Sequence, residues 1–215
     1  MILYGNLYSV YARTMRMVLS LKKVPYSLEN IDPFEEDAAE SLREVHPFDR
    51  VPALRSDGFC IYETQAMLDY VEAVFPDPVL RPNGAEAMAR MRQVMGIADH
   101  YFYWPLVRQA ASQQVFNPIY GAPVDQAELA AGLAAAPRVL DALEAIATEA
   151  LVLRPDEITL ADCHLWPMMD YALMVEEIAK MVARRVHLAG WAAALAKTPV
   201  ARETAPDMET LQADA

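Results

Sequence analysis

The sequence is poor in the residues that build a covalent or metal framework. Its 215 residues include two cysteines, Cys60 and Cys163, far apart and without a C-x-x-C pair. Neither a disulfide scaffold nor a thiolate zinc site is suggested, and both read as small buried hydrophobes. The four histidines, His46, His100, His164 and His187, show no H-E-x-x-H or comparable ligand spacing, so no metal is expected. Basic residues are scarce as well: 18 Lys and Arg against 30 Asp and Glu leave a net charge of −12. Such a field repels a phosphate backbone, which makes nucleic acid an unfavourable partner. No stretch approaches ~18 uncharged apolar residues, and Met1 leads into a strand-like run with neither a basic leader nor an apolar h-region. A cytoplasmic protein without a membrane segment is expected. Internal repeats and low-complexity tracts are also missing.

What the chain does have is apolar residues, 54% of the total with 22% charged, enough to bury a core and far from the composition of disorder. Ile2-Leu3-Tyr4 reads as a short buried strand, and Met15, Val18 and Leu19 recur at helical spacing within 11–23. Tyr26 to Ile31 is a second strand, and a helix-length crossover implies parallel pairing with the first. A polar helix over 35–45 follows. Pro52 to Arg55 and Phe59 to Tyr62 then flank Asp57-Gly58, a strong hairpin signal. From Glu63 onward Met67, Leu68, Val71 and Val74 outline another amphipathic helix.

Three prolines and a glycine between Phe75 and Gly84 forbid a continuous helix or central strand. Beyond them the patterning is helical only. Residues 85–115 form one long run in which Pro105 should introduce a kink, and residues 125–149 favour helix despite Pro137. Thr159 and Asp162 have the spacing of a carboxylate capping box. The expected organisation is residues 1–78, linker 79–85, and residues 86–215.

Four motifs stand in order: Tyr8-Ser9-Val-Tyr-Ala-Arg13, His46-Pro-Phe-Asp-Arg50-Val51-Pro52-Ala-Leu54, Tyr62-Glu63-Thr64, and Thr159-Leu-Ala-Asp162. With the βαβ-α-ββα order, these resemble the cytosolic glutathione S-transferase superfamily over about residues 1–200, as a serine-type, bacterial-like member. The resemblance implies an α/β plus all-α architecture: a thioredoxin-like, glutathione-binding domain followed by an all-helical domain that holds an electrophile. It implies Ser9 as the hydroxyl that donates to the glutathione sulfur, with Tyr8 and Tyr11 as rival hydroxyls. Ser9 is also where a helix would need a cap, and unpaired amides with the positive dipole end favour an anion there.

By the same resemblance Val51 pairs its backbone with the cysteinyl part of glutathione beside a cis Pro52, and Arg50 meets the glycine carboxylate. Glu63 takes the ligand ammonium, and Thr64, read also as a helix N-cap, takes the α-carboxylate. Tyr101, Trp104, Arg108 and, more remotely, Trp166 are candidates for the electrophile site, where a cation at 108 would favour an anionic electrophile. A serine in place of a cysteine at position 9 makes disulfide exchange through this site an unsuitable chemistry. Leu7-Tyr8-Ser9-Val10 stands where zeta-type isomerases carry Ser-Ser-Cys, which argues against maleylacetoacetate isomerisation. Glutathione as co-substrate, a small electrophile and a second copy of the chain are the expected partners. Phe48 is the aromatic that could insert into that second copy. The alternative is a non-catalytic interaction module in the manner of stringent starvation protein A.

Overall fold

The computed structural model describes residues 1–32 and 42–214, the last three through their backbone alone. The chain divides into two compact units, Met1–Leu80 with Pro199–Pro206, and Arg81–Thr198 with Asp207–Ala215. In the first unit β1 (Ile2–Gly5), α1 (Val10–Leu21) and β2 (Ser27–Asn30) form the parallel β-α-β opening. The hairpin β3 (Ala53–Ser56) and β4 (Phe59–Tyr62) then leads into α2 (Thr64–Val74). The four strands make one mixed sheet in the order β2-β1-β3-β4, with β3 antiparallel to both β1 and β4. The hairpin turns at Asp57 and Gly58, both at positive φ, the conformation that Asp-Gly tolerates and that matches strand twist.

Alternation along the strands sorts the two faces of the sheet. Tyr4, Cys60 and Tyr62 pack with Leu42, Val45 and Ala53 on one face, and Arg55 lies over the Tyr4 ring at 5.4 Å. Leu3 and Leu54, paired in register and fully buried, belong to the other face, with Met15, Val18 and Leu19 of α1 and Met67, Leu68 and Val71 of α2. Cys163 is buried as expected, whereas Cys60 is only half-buried. Of the polar helix expected over 35–45, residues 42 and 43 are helical and those up to 41 lie outside the described residues.

Two buried cations tie this unit together. Lys22, at the end of α1, pairs with Glu72 and donates to the carbonyls of Phe75 and Pro78, both at 2.8 Å. Arg13 donates from Nη2 to the carbonyl of Ala201 at 2.9 Å, and Ala201 lies in the short helix Pro199–Glu203.

The second unit begins with α3 (Ala85–Ile97), which runs on into a helix of wider, π-type turns over Ala98–Phe116, numbered α4. The run is wound as a π-type helix from Ala98, seven residues ahead of Pro105, where the sequence predicts a kink. Proline has no N–H to place in an α ladder, and i→i+5 turns are the rare alternative. The Ser112 hydroxyl donates to the carbonyl of Val107, five residues back. A short turn, α5 (Asn117–Ile119), precedes α6 (Gln126–Thr148), whose cap Asp125 accepts from the amides of Ala127 and Glu128. Gly132 lets α6 close on α4, since a Cβ there would sit 2.4 Å from the carbonyl oxygen of Pro105. Then come α7 (Leu160–Leu173), α8 (Glu176–Ala183) and α9 (Val186–Leu195), with α10 (Pro199–Glu203) returning to the first unit and α11 (Met208–Asp214) last. Among the described residues no helix is long and apolar enough to cross a membrane.

Candidate functional site

Sheet register brings three of the four motifs to one end of the first unit. Tyr4 near the end of β1 pairs with Ala53 at the start of β3, and Ala53 pairs with Tyr62 at the end of β4. The loop that leaves β1 toward Ser9, the segment Arg50-Val51-Pro52 entering β3, and the turn Glu63-Thr64 leaving β4 therefore emerge together. Asn30 of β2 pairs with Gly5 at the same end. Its side-chain oxygen accepts the Leu7 amide at 3.1 Å, while that of Asn6 accepts the Tyr8 amide at 2.9 Å. Polar side chains thus satisfy the amides of the loop that presents Ser9. Gly5 is needed for the same approach, because a Cβ there would lie 2.9 Å from the Cβ of Ala12 in the first turn of α1.

Ser9 is the N-cap of α1, with extended backbone (φ −71°, ψ 123°), and its hydroxyl oxygen accepts the Ala12 amide at 3.3 Å. A hydroxyl has one proton and two acceptor lone pairs. Accepting a helix amide leaves the proton to donate, so capping and donation to an anion are compatible. The position adds the positive end of the helix dipole.

Val51-Pro52 is a cis peptide bond, and so is Asp77-Pro78. Val51 packs half-buried on the cluster of Leu42, Val45 and Ala53, while Arg50 stays exposed. Thr64 is not the N-cap that the acidic-hydroxyl pair suggests. The cap is Glu63, at φ +68° and ψ 112°, and Thr64 is the first, nearly buried residue of the helix. The sharp exit from β4 makes Glu63, and not Thr64, the residue just ahead of the first turn, in a positive-φ conformation outside the extended region usual for a cap. Positive φ in a non-glycine residue is costly and characteristic of functional turns. The carboxylate of Glu63 makes no capping bond.

His46 stands between these pieces although sequence reasoning gave it no role. It is 3% exposed, and its ring packs against Tyr62 and Phe48 with centroids 4.8 and 6.0 Å away. Burial pushes its imidazole below the ordinary value of 6.5; Glu63 and Asp49 act upward and Arg50 downward. The only sequence signal was its place at the head of the second motif. Asn6 and Asn30 carried none.

In the second unit Tyr101 (62% exposed), Trp104 (59%) and Arg108 project from α4. Trp166 does not join them. It is 2% exposed in α7, edge-on to Trp191 at 6.2 Å, so it is a core side chain. Thr159 and Asp162 form the expected reciprocal cap: Asp162 accepts the Thr159 amide at 2.7 Å, the Thr159 hydroxyl at 2.5 Å and the Trp191 indole at 2.6 Å. Burial raises the Asp162 carboxyl to about 6, against the pull of these hydrogen bonds. One concave site in this unit, about 170 Å³ beside Leu153, Arg154 and His187, and another of about 390 Å³ around Asn83–Ala87 and Leu151, include none of Tyr101, Trp104 and Arg108.

Residues 3–79 match the family model described as glutathione S-transferase, N-terminal domain. The chain is 28% identical over 203 residues to glutathione S-transferase F6 of Arabidopsis thaliana, covering 93% of this chain and 96% of that protein. It is 25% identical over 169 residues to a stringent starvation protein A homolog of Pasteurella multocida, covering 79% and 73%. Among solved structures, that of glutathione transferase F7 from Populus trichocarpa superposes with a TM-score of 0.79 over 94% of this chain and 96% of that one. At 22% identity the likeness to the poplar structure is one of fold.

Proposed function

Since the chain belongs to the cytosolic glutathione S-transferase superfamily, we propose that it holds glutathione on the Met1–Leu80 unit and activates the thiol for attack on a small electrophile. The observation that carries this reading is the convergence of Ser9, Val51-Pro52 and Glu63-Thr64 at one end of the sheet. In the proposal Ser9 donates to the sulfur, and the Val51 backbone pairs with the cysteinyl unit. Arg50 meets the glycine carboxylate, Glu63 takes the ammonium, and Thr64 with the first amides of α2 takes the α-carboxylate.

An ordinary thiol ionises near ~8.5, and lowering it by about two units requires about 2.7 kcal/mol of differential stabilisation of the thiolate. A charge-assisted hydrogen bond together with a helix N-terminus can supply an energy of that order. The thiol proton passes to solvent, the sulfur lone pair forms the new S–C bond, and the electrophile's leaving group or π-system takes the displaced pair. Tyr101, Trp104 and Arg108 are the side chains assigned to the electrophile, and the working form is a homodimer.

The relationship to a stringent starvation protein A homolog supports a second reading, a non-catalytic interaction module. Retention on immobilised glutathione, with elution by free glutathione, together with formation of a glutathione adduct from an aryl halide, supports the enzyme. Failure of both supports the module.

A further inference from the structure

We propose that His46 is the positioning residue of this site, joining its two halves, and that glutathione is held more tightly when its ring is neutral. The inference rests on the glutathione-binding reading of the first unit.

The argument starts from the loop. The His46 amide closes a helical turn onto the carbonyl of Leu42 at 2.7 Å, and the His46 carbonyl accepts the Asp49 amide at 3.1 Å. Its Nδ1 accepts the Phe48 amide at 3.3 Å. Two bonds from one residue therefore fold residues 46–49 back on themselves directly ahead of Arg50, Val51 and Pro52. Asp49, at φ +52°, is held further by Arg43, whose Nε lies 3.3 Å from its carboxylate.

The ring reaches the other half. It lies on Tyr62, and Phe48 and Tyr62 meet edge to face at 6.1 Å. Tyr62 immediately precedes Glu63, whose positive φ sets the turn into α2. One imidazole thus touches both the loop that enters β3 and the strand end that presents Glu63.

Protonation undoes the contact with the loop. The Nδ1 lone pair that accepts the Phe48 amide would carry a hydrogen instead, setting two donors against each other. A cation would also appear beside Arg50 and compete with the ligand ammonium for Glu63. The charged groups that act on the ring are Glu63, Asp49 and Arg50, and the Tyr62 phenol ring lies against its face. Because burial holds the imidazole below 6.5, the ring is neutral above that pH. The effect sets in only as pH falls below it.

The test is calorimetric titration with S-methylglutathione, which has no thiol to ionise, between pH 7.5 and 5. For the wild type we expect constant affinity down to about pH 6.5 and a three- to tenfold loss below it, fitted by one ionisation. His46→Asn, whose amide oxygen can accept the Phe48 amide, should bind roughly 2- to 10-fold more weakly at pH 7.5 and without that slope. His46→Ala should be weaker still, so that asparagine partly rescues it. Wild-type affinity that stays flat to pH 5, or a parallel slope in His46→Asn, overturns the proposal. If neither variant folds, the His46 ring proton resonance of the wild type decides: saturating S-methylglutathione should lower its titration midpoint, and an unmoved midpoint overturns the proposal. No binding by the wild type at pH 7.5 defeats the glutathione reading itself, and this inference with it.

Discussion

A serine at a helix start serves two purposes at once when its oxygen accepts and its proton points outward. In Ser9 the oxygen accepts the Ala12 amide, which leaves the hydroxyl proton available to donate. Its residue type and place were legible in the sequence, because a strand-to-helix junction calls for a cap. Glu63 was legible only in part. An acidic-hydroxyl pair ahead of a helix suggested ligand contact, but the side chains said nothing of a backbone at φ +68°, which follows from the tight exit of β4. The two properties can be separated experimentally. Glu63→Ala should lose an ammonium partner worth roughly 1.5–3 kcal/mol, or about 10- to 150-fold in glutathione affinity. Glu63→Gly should lose as much affinity yet gain about 1 kcal/mol of stability by relieving positive φ. Calorimetry and urea denaturation of the two variants check this, and a Glu63→Gly protein less stable than wild type would refute the account of the turn.

Elements were readable wherever periodicity and punctuation agreed. The hairpin at Asp57-Gly58 and the cap at Thr159-Asp162 follow local rules, and the structure has both. The winding of α4 was not readable, because steps of three and four residues serve α and π turns alike, and the change begins seven residues before the proline that hints at it. Close packing of α6 on that helix depends on Gly132. Gly132→Ala would drive a Cβ against the Pro105 carbonyl, a backbone atom that cannot swing aside, and should cost roughly 1–3 kcal/mol in urea denaturation.

The cap of α7 gives a pH prediction with a definite sign. The Asp162 carboxyl is raised from 3.8 to about 6, so the folded state keeps its proton longer than the unfolded state does. Its contribution is fully present below about pH 4 and is lost as pH rises to about 6, on the order of 2–3 kcal/mol. Asp162→Asn should remove that decline. Denaturation curves of the two proteins at pH 4.5 and 7 measure the difference, and an equal decline in both would place the titration elsewhere.

On the scale of the whole molecule, distance along the chain decides what a sequence can reveal. The Arg13–Ala201 bond spans 188 positions, and no local pattern in Pro199–Pro206 announces that this segment belongs with residues 1–80. Phe48, 65% exposed beside buried His46, is the side chain through which the proposed homodimer would be keyed. Light scattering should give about twice the 24.0 kDa chain mass, and a monomer mass at micromolar concentration would contradict it. The central claim, that Ser9 ionises the glutathione thiol, is tested most directly on the intact protein saturated with glutathione, by following the ultraviolet absorbance of bound thiolate against pH in wild type and Ser9→Ala. The account predicts a midpoint one to two units higher in the variant and turnover near neutral pH lower by roughly ten- to a hundredfold. Superimposable titration curves would contradict it and reduce Ser9 to a helix cap.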